Sequence, residues 1–270
     1  SRNFTENFKR IWRIWIYWKM KNTINKKFLE RYSRQIILKD VGIVGQKAIN
    51  NSKVLIVGVG GLGCPIADYL SRAGVGTIGI ADFDKINISN IHRQSLYYTN
   101  DIGKYKVDVL KKKIKSINPH TKVKSFKKKI TINNFENIIN DFDIIVDGSD
   151  NFKTKFLLNE FSIKYKKILV VGAINKFDGH IFSFDFNNKK NPCLKCFYQS
   201  EPSDEILNCE AEGIMGPVAG TIGNIQANEV LKKILKIGNG LDKFILIINL
   251  LTLNFRKVAF NKKKDCLCKN

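Results

Sequence analysis

The sequence contains no apolar run that approaches the roughly 18 residues of a membrane-spanning helix. It also has no internal repeat and no linker rich in proline or serine. With 270 residues, of which 44% are hydrophobic, the chain is long enough to bury a substantial core. These features exclude a spanning helix and predict one continuous domain over residues 29–270, after an N-terminal extension over residues 1–28.

The N-terminal extension is basic and aromatic, and its segment IWRIWIYW is interrupted by Arg13. Such a segment is too short to cross a bilayer, although it leaves open a helix that lies on a membrane surface. The interpretation we favour is that Met20 is the natural start and that residues 1–19 are an upstream translation artefact. These residues are therefore left out of the fold prediction, and no membrane association is expected.

Acidic residues are scarce, with 24 Asp and Glu against 46 Lys and Arg, which gives a formal net charge of +22. Taken alone, this charge indicates a nucleic acid, an anionic membrane or an acidic protein as partner. The interpretation we favour is compositional, because lysine is abundant throughout the chain, as in an AT-rich coding sequence. The charge therefore carries no functional assignment by itself, and no nucleic-acid partner is expected.

Cysteine is limited to six residues, and four of them form two close pairs. Close pairs in a chain without a signal peptide indicate metal ligands in a reducing compartment, so a cytoplasmic location is predicted. Four thiolates would form a tetrahedral structural zinc site that ties the C-terminus to the middle of the chain. A redox pair is the alternative, but no thioredoxin-like context surrounds the motif. The predicted zinc ligands are Cys193, Cys196, Cys266 and Cys268.

The lone Cys209 lies in the glycine-punctuated segment NCEAEGIMGPVAG, which precedes a predicted helix. A lone cysteine is usually a small buried hydrophobic residue. A thiol near a helix N-terminus is alternatively a nucleophile with a lowered pKa. The residue pattern leaves both interpretations open.

Apolar runs of strand type alternate with amphipathic helical patterns in the first part of the chain. The segments predicted as strands with their turns are 53–63, 77–82, 122–130, 143–151 and 167–173, and the predicted helices are 64–74 and 104–119. The later segments predicted as strands are 179–186, 243–250 and 255–260, with a helix around 217–237. This order predicts an α/β fold with a doubly wound, Rossmann-like sheet that is parallel in the N-terminal half and has antiparallel C-terminal strands.

A glycine-rich motif, Gly58-x-Gly60-Gly61-x-Gly63, lies between a predicted strand and a predicted helix. Glycines there allow a tight turn and let phosphate oxygens approach backbone N–H groups at a helix N-terminus. Asp82 follows at the end of the next strand, where a carboxylate can accept hydrogen bonds from ribose hydroxyls. The motif predicts a nucleotide site and leaves NAD and ATP open, and a tight turn without a ligand is the structural alternative.

Several cations and an amide accompany this motif, namely Arg34, Asn90, Arg93 and Lys106. A nicotinamide dinucleotide needs no such density of positive charge, whereas a triphosphate that expels pyrophosphate does. A solvated surface lysine is the alternative for Lys106, which lies in a lysine-rich helix. The cations therefore favour transfer of a nucleotidyl group over transfer of hydride.

Asp150 lies in DGSDN, directly after a predicted buried strand. A carboxylate at the carboxyl end of a parallel strand faces the ligand crevice, and magnesium is bound by one or two carboxylates together with phosphate oxygens. The alternative is an Asx-turn or a helix cap before FKTKFLL. Asp150 is therefore the predicted magnesium residue.

Taken together, these motifs resemble the bacterial E1-like adenylating enzymes, which include the molybdopterin-synthase and thiamin-thiazole adenylyltransferases. The similarity runs from about residue 29 to the C-terminus. The matching segments include RYSRQIIL, VLIVGVGGLGC, DFD, SNIHRQ, GKYKVD, DGSDN, PCLKC and CEAEGIMGPVAG.

The resemblance implies that ATP is used to adenylate the C-terminal Gly-Gly carboxylate of a small ubiquitin-like sulfur-carrier protein. The product would serve molybdopterin or thiamin-thiazole sulfur transfer, with a separate sulfurtransferase as a further partner. The resemblance also implies a homodimer in which Arg34 reaches the ATP site of the other subunit, and a loop cysteine, here Cys209, that in some members links covalently to the carrier. The implied nucleotide-binding set is Gly58, Gly60, Gly61, Gly63, Asp82, Ser89, Asn90, Arg93, Lys106, Asp150 and Asn151, with Mg²⁺ on Asp150 and Zn²⁺ on the four paired cysteines.

One departure from the family pattern is that the second cysteine pair is C-x-C instead of C-x-x-C, which puts zinc binding in doubt. Three rival functions remain: an E1-like dehydratase that modifies tRNA, an NAD-dependent oxidoreductase, and a non-catalytic basic binding module. The zinc cysteines and the RYSRQ motif count against the first. Arg93 and Lys106 count against the second, and an intact nucleotide motif counts against the third.

Overall fold

The computed structural model describes residues 26–198, 202, 213–266 and 268. The chain divides into two compact units, residues 1–47 and residues 48–270. In the first unit, helix α1 (Lys26–Ile36) carries the RYSRQ motif, and helix α2 (Gly42–Asn51) begins there. The side chain of Gln35 donates a hydrogen bond to Gln46 Oε1 at 2.8 Å, so the two helices are joined within this unit.

The described residues of the second unit contain one sheet of eight strands in the order β3-β2-β1-β4-β5-β6-β7-β8. Strands β1 to β5 pair in parallel, and β6, β7 and β8 each pair antiparallel with the preceding strand. The strand bounds are β1 Lys53–Val57, β2 Thr77–Ala81, β3 Lys122–Phe126, β4 Ile144–Asp147, β5 Ile168–Asn175, β6 Asp178–Asp185, β7 Phe244–Asn249 and β8 Asn254–Ala259. The predicted fold class is confirmed.

Six further α-helices and two short 3-10 helices, Ile88–Asn90 and Thr99–Asp101, complete the described part of the second unit. Their bounds are α3 Gly63–Ala73, α4 Lys106–Ile117, α5 Ile132–Ile139, α6 Phe152–Lys164, α7 Leu194–Phe197 and α8 Gly216–Leu235. Helix α3 ends at Gly74, whose left-handed backbone (φ 92°) lets its N–H bond to the last carbonyls of the helix. None of the described helices is long and apolar enough to cross a bilayer.

The observed elements differ from the predicted ones in the length of one strand and in several helices that were not predicted, among them α5. The strand predicted over 122–130 ends at Phe126, because β3 pairs only with the five residues of β2 and the lysine run that follows leaves the sheet. Helix α5 was not predicted, since its eight residues, INNFENII, offer only two apolar turns between polar loops. The helix predicted over 104–119 is present as α4 with slightly shorter bounds.

The core has two layers, one on each face of the sheet. On one face, β1 residues such as Ile56 pack with α3, α4 and α8 around Leu70, Leu110 and Ile222. On the other face, Leu55 packs with α5, α6 and α7. Strands buried on both faces read as continuous apolar runs, and this explains VLIV in β1 and IIV in β4. The first and fourth strands therefore form the centre of a three-layer α/β sandwich.

Candidate active site

A cavity of about 390 Å³ opens at the carboxyl ends of β1, β2 and β4. Neighbouring connections leave the sheet in opposite directions at this point, and such a crevice is where doubly wound folds bind ligands. Its walls come mainly from the β1–α3, β2–α4 and β4–α6 loops. The structure brings nine of the predicted site residues to this cavity: Gly58, Gly60, Gly61, Asp82, Asn90, Arg93, Lys106, Asp150 and Asn151.

The glycines of the first loop have two different tasks. Gly58 adopts φ +82°, and a Cβ there would lie 2.7 Å from the carbonyl carbon of Gly148, so it lets the β1 and β4 loops touch. A Cβ on Gly63 would lie 2.2 Å from the Gly58 carbonyl oxygen, so Gly63 packs the helix start against the loop and does not line the cavity. Gly60 and Gly61 present backbone to the cavity, where a phosphate can approach the N-terminus of α3.

Asp82 directly follows β2, and its carboxylate is hydrogen-bonded to the loop after β1 and to the loop after β2. Its Oδ2 accepts a hydrogen bond from the Val59 N–H at 2.9 Å, and its Oδ1 accepts one from the Asp84 N–H at 2.9 Å. Burial raises the pKa of this carboxyl group above its ordinary value, and the charge of Lys106 offsets part of the shift. Each oxygen keeps a further lone pair, so the carboxylate retains acceptor capacity for the ribose hydroxyls. The ribose role itself stays a prediction.

Lys106 is the first residue of α4, and its side chain is only 7% exposed. Its Nζ forms an ion pair with Asp84 Oδ2 at 2.9 Å, and both side chains line the cavity. A surface lysine would be solvated, so the surface interpretation of Lys106 is wrong. The pairing of Asp84 with Lys106 was not predicted, although the DFD spacing places both carboxylates at this mouth.

Arg93 and Asn90 lie on the loop that follows β2. The Arg93 Nη1 donates a hydrogen bond to the Ser89 carbonyl at 2.8 Å and lies 2.9 Å from His92 Nε2. Asn90 is buried, and its Oδ1 accepts from the Asn87 N–H at 3.1 Å. Ser89 does not line the cavity and contributes its carbonyl oxygen, which orients the guanidinium of Arg93.

In the DGSDN loop, the helix cap, the Asx-turn and the candidate magnesium ligand are three different residues. Asn151 is the N-cap of α6 and accepts a hydrogen bond from the Thr154 N–H at 2.8 Å. The Asx-turn belongs to Asp147, whose Oδ1 accepts from the Ser149 N–H at 2.9 Å. The cap and Asx-turn interpretations of Asp150 are therefore wrong. Asp150 is exposed at the cavity and receives the Asn151 amide at 3.3 Å, so its carboxylate is available for a magnesium ion.

The paired cysteines form a compact cluster away from the cavity. All four Sγ atoms lie within 4.8 Å of one another. Cys193 Sγ lies 3.4 Å from Cys266 Sγ, and Cys196 Sγ lies 3.5 Å from Cys268 Sγ. A tetrahedral zinc ion with Zn–S bonds of about 2.3 Å needs sulfur atoms roughly 3.8 Å apart, so the cluster fits zinc despite the C-x-C spacing.

Three of the four cluster cysteines are buried, and Cys266 is partly exposed. Burial raises the pKa of Cys193 to about 12, so a thiolate there needs a cation beside it. The Lys263 N–H lies 3.5 Å from Cys196 Sγ and supplies a backbone donor of the kind that accompanies metal-bound sulfur. The cluster therefore has the donor set and the surroundings of a closed structural site.

The ThiF family profile matches residues 32–270, which is most of the chain. The chain belongs to the ThiF family. The family predicted from the sequence motifs is confirmed.

Relatives of this ThiF-family chain include the sulfur carrier protein adenylyltransferase of Thermus thermophilus, which is 36% identical over 245 residues covering 89% of this chain and 90% of the relative. The adenylyltransferase and sulfurtransferase MOCS3 of Drosophila virilis is 38% identical over 243 residues, covering 90% of this chain and 54% of the relative. The chain thus spans about half the length of MOCS3.

Solved structures of E. coli MccB share the fold. The complex with AMPCPP and MccA superposes with a TM-score of 0.79 at 22% identity, covering 92% of this chain and 76% of MccB. The complex with ATP gives a TM-score of 0.71 at 21% identity, covering 83% of this chain and 68% of MccB. At this identity the likeness supports the fold assignment of the ThiF-family chain and nothing finer.

Two predicted residues lie outside this description of the site. Cys209 is not among the described residues. Arg34 lies on α1, in the first unit of the chain. Their roles stay predictions.

Sequence reasoning missed Lys155, a buried lysine beneath the DGSDN loop. Its side chain is 1% exposed and pairs with Asp147, whose side chain is fully buried. The chain has 46 Lys and Arg residues, and lysine side chains are rarely fully buried. Nothing in the composition therefore singles out Lys155 as a buried residue. The only signal was its place in the first turn of a helix whose neighbouring positions are apolar.

Proposed function

We propose that the chain is an adenylyltransferase that uses ATP to adenylate the C-terminal carboxylate of a small ubiquitin-like sulfur-carrier protein. The observation that carries this function is one cavity in which Arg93 and Lys106 face the loop of Gly60 and Gly61. That arrangement suits a triphosphate at a helix N-terminus better than a dinucleotide. The name of the Thermus thermophilus relative and the ThiF family profile support the same activity.

The chemistry needs no general base from the protein. The terminal carboxylate of the carrier is ionised at neutral pH, and one of its oxygens attacks the α-phosphorus of ATP. A new P–O bond forms, and the bond to the β-phosphate oxygen breaks, so that pyrophosphate leaves with its electron pair. Catalysis then consists of positioning and of stabilising the developing charge.

The described side chains divide this work between them. Asp82 holds the ribose, Gly60 and Gly61 present backbone N–H groups to the phosphates, and Arg93 and Lys106 neutralise the charge that develops on the leaving group. Asp150 is placed to hold magnesium, which would offset phosphate charge when bound. Lys106 enters this role from its ion pair with Asp84.

The zinc ion belongs to a structural site in this proposal. Cys193, Cys196, Cys266 and Cys268 would hold it and thereby tie the segment after β8 to the segment after β6. The zinc ion would only cross-link distant parts of the chain, because four sulfur ligands leave no open coordination position for a substrate.

Finer features of the proposal come from the family resemblance. The enzyme acts as a homodimer in which Arg34 reaches the ATP site of the second subunit, and a separate sulfurtransferase completes the thiocarboxylate. Cys209 is the position for a covalent link to the carrier. A cytoplasmic location accompanies the free thiols, and both the molybdopterin and the thiamin-thiazole pathway use carriers of the required kind.

The decisive experiment is ATP–pyrophosphate exchange with a carrier that ends in Gly-Gly. We expect exchange that requires the carrier and stops when its last two glycines are deleted. NADH fluorescence and an unmodified tRNA serve as controls for the rival functions. An absence of exchange together with a response to NADH would overturn the proposal in favour of an oxidoreductase, and tRNA-dependent exchange would favour the dehydratase.

The shared site is tested by mixing two inactive variants. Arg34→Ala and Arg93→Ala are each expected to lose exchange, while a mixture regains up to about a quarter of the wild-type rate, because half of the dimers are hybrids with one intact site. Sedimentation of each variant controls for loss of the dimer. A mixture that stays inactive although hybrid dimers form would contradict a site completed in trans.

A further inference from the structure

The buried Lys155 holds three separate parts of the protein at once. Its Nζ donates hydrogen bonds to Asp147 Oδ2 at 2.9 Å, to the Ser149 carbonyl at 2.7 Å and to the Gly172 carbonyl at 2.7 Å. An ammonium group has three N–H donors, and all three are used. The side chain therefore has no capacity left for a ligand and acts only through the groups that it binds.

The three acceptors connect the sheet to the magnesium loop. Asp147 ends β4, Ser149 lies in the loop that leads to Asp150, and Gly172 belongs to the adjacent β5. A second buried side chain, Gln226 of α8, donates to the Asp147 carbonyl at 2.9 Å. The loop is thus fastened from below by groups on α6, α8 and β5, and its free side faces the cavity.

Stability alone does not account for a charge in this place. The Lys155 and Asp147 side chains are 1% and 0% exposed, and removing two charges from water is costly. Well-packed apolar residues of similar volume are often neutral or stabilising at such positions. What an apolar pair cannot supply is a fixed position for the Ser149 carbonyl, which lies one residue before Asp150.

We propose that Lys155 is a positioning residue for the metal–nucleotide complex, because its hydrogen bonds to Ser149 and Gly172 hold the Asp150 carboxylate at the cavity. The inference rests on the proposed function, in that it takes Asp150 as the magnesium residue. Lys155 contacts neither the metal nor the nucleotide. Its removal weakens retention of the metal before it affects binding of the nucleotide itself.

The variants are chosen so that the loss of a hydrogen bond is separated from the burial of an unpaired charge. Lys155→Met alone leaves Asp147 ionised and unpaired, and this variant is expected to be unstable. The double variant Lys155→Met with Asp147→Asn removes both charges and keeps an amide oxygen for the Ser149 N–H. Lys155→Arg retains the charge with a different donor geometry and tests partial rescue.

The readout is binding, so it does not depend on turnover. The affinity of a non-hydrolysable ATP analogue is measured with and without Mn²⁺, and bound Mn²⁺ is counted by electron paramagnetic resonance. For the double variant we expect unchanged metal-free affinity for the analogue and Mn²⁺ retention reduced about tenfold or more. We expect the lowest Mn²⁺ retention for Asp150→Ala, and for Lys155→Arg a value between those of the double variant and the wild type.

A core variant on α5, Ile138→Ala, is the control for general destabilisation, because Ile138 is buried and does not line the cavity. Compared with the double variant at equal thermal stability, Ile138→Ala should retain Mn²⁺ as the wild type does. Wild-type Mn²⁺ retention in the double variant, or an equal loss in the Ile138 variant, would overturn the inference. A wild-type protein that binds no ATP analogue would instead overturn the proposed function.

Discussion

The nucleotide cavity and the cysteine cluster lie in the same unit, but they are held together by different means. The cavity loops are fastened by ordinary hydrogen bonds, such as those of Asp82 to Val59 and of Lys155 to Ser149. The cysteine cluster brings Cys193 and Cys196 next to Cys266 and Cys268. Its described contacts include weak sulfur contacts, a backbone N–H donor to Cys196 and a hydrogen bond from the Lys262 ammonium to the Cys268 carbonyl. We therefore expect the cavity to form before its ligand binds, whereas the cluster would depend on the zinc ion proposed for it.

This difference separates the expected effects of substitution. Changes at Asp150 and Lys106 should alter the chemistry and leave the fold intact, since Asp150 is exposed and Lys106 is paired with the partly exposed Asp84. Changes in the cluster should alter stability and leave the chemistry nearly intact, since no described part of the cluster lines the cavity.

The largest expected effect is that of Asp150→Ala on exchange. Loss of the magnesium carboxylate should lower the rate by at least about 10³-fold, while the thermal midpoint stays unchanged because the side chain is exposed. The matched control is Asp141→Ala, an exposed carboxylate that pairs with Lys124 on the surface. Near-normal exchange in the Asp150 variant would remove its role.

The next largest effect is that of Cys266→Ser on stability. Loss of one metal ligand should lower the free energy of unfolding by about 3 kcal/mol and reduce the zinc content from one ion per chain. Exchange by the folded fraction should change little. Cys64→Ala is the control, since Cys64 is buried apart from the cluster, and it should keep its zinc. Protein purified without chelators that contains no zinc would contradict the site.

A smaller effect is expected for Lys106→Met. Removing one cation that stabilises the leaving pyrophosphate should lower the rate of exchange by about 10²-fold. Lys112→Met, on the exposed face of the same helix, is the matched control and should retain full activity. Equal losses in the two variants would point to net charge instead of a placed ammonium, and salt dependence would then identify steering of the carrier.

The smallest effect concerns the pH dependence of stability. Because burial raises the pKa of Asp82 above 3.8, the folded chain keeps this proton to a higher pH than the unfolded chain does. The contribution of Asp82 to stability is therefore full below pH 3.8 and is lost as the pH rises through the raised pKa. In Asp82→Asn, the free energy of unfolding should rise more steeply with pH, measured by urea denaturation from about pH 4 to pH 7.

The pKa of Asp141 is shifted in the opposite direction from that of Asp82, so the two residues should affect the pH dependence of stability in opposite ways. The hydrogen bond and the charge of Lys124 hold the pKa of Asp141 below its ordinary value. Its contribution to stability is present above pH 3.8 and is lost as the pH falls through the lowered pKa. Asp141→Asn should therefore flatten the rise of stability with pH. Parallel profiles for the two variants would refute the assignment for Asp82.

The parts of the site that could be predicted from the sequence are those carried by contiguous motifs. A glycine turn after an apolar strand, a carboxylate at the end of the next strand and a C-x-x-C pair each have local physical reasons. Lys155 and the partner of Lys106 could not be predicted, because burial of a lysine is decided by tertiary packing and this chain has lysine everywhere. Helix α5 was missed for a similar reason, since eight residues give too little periodicity to stand out.

The pairing of β1 has a consequence for how the chain is made. Val54 pairs with Ile78 on one side, but its partner on the other side is Ile144, ninety residues further along the chain. Until the ribosome has released that segment, one apolar edge of the central strand stays open to other chains. We expect nascent chains that stop before residue 144 to engage chaperones and those that include β5 to escape them. Synthesis rate and temperature would then govern the yield of active protein.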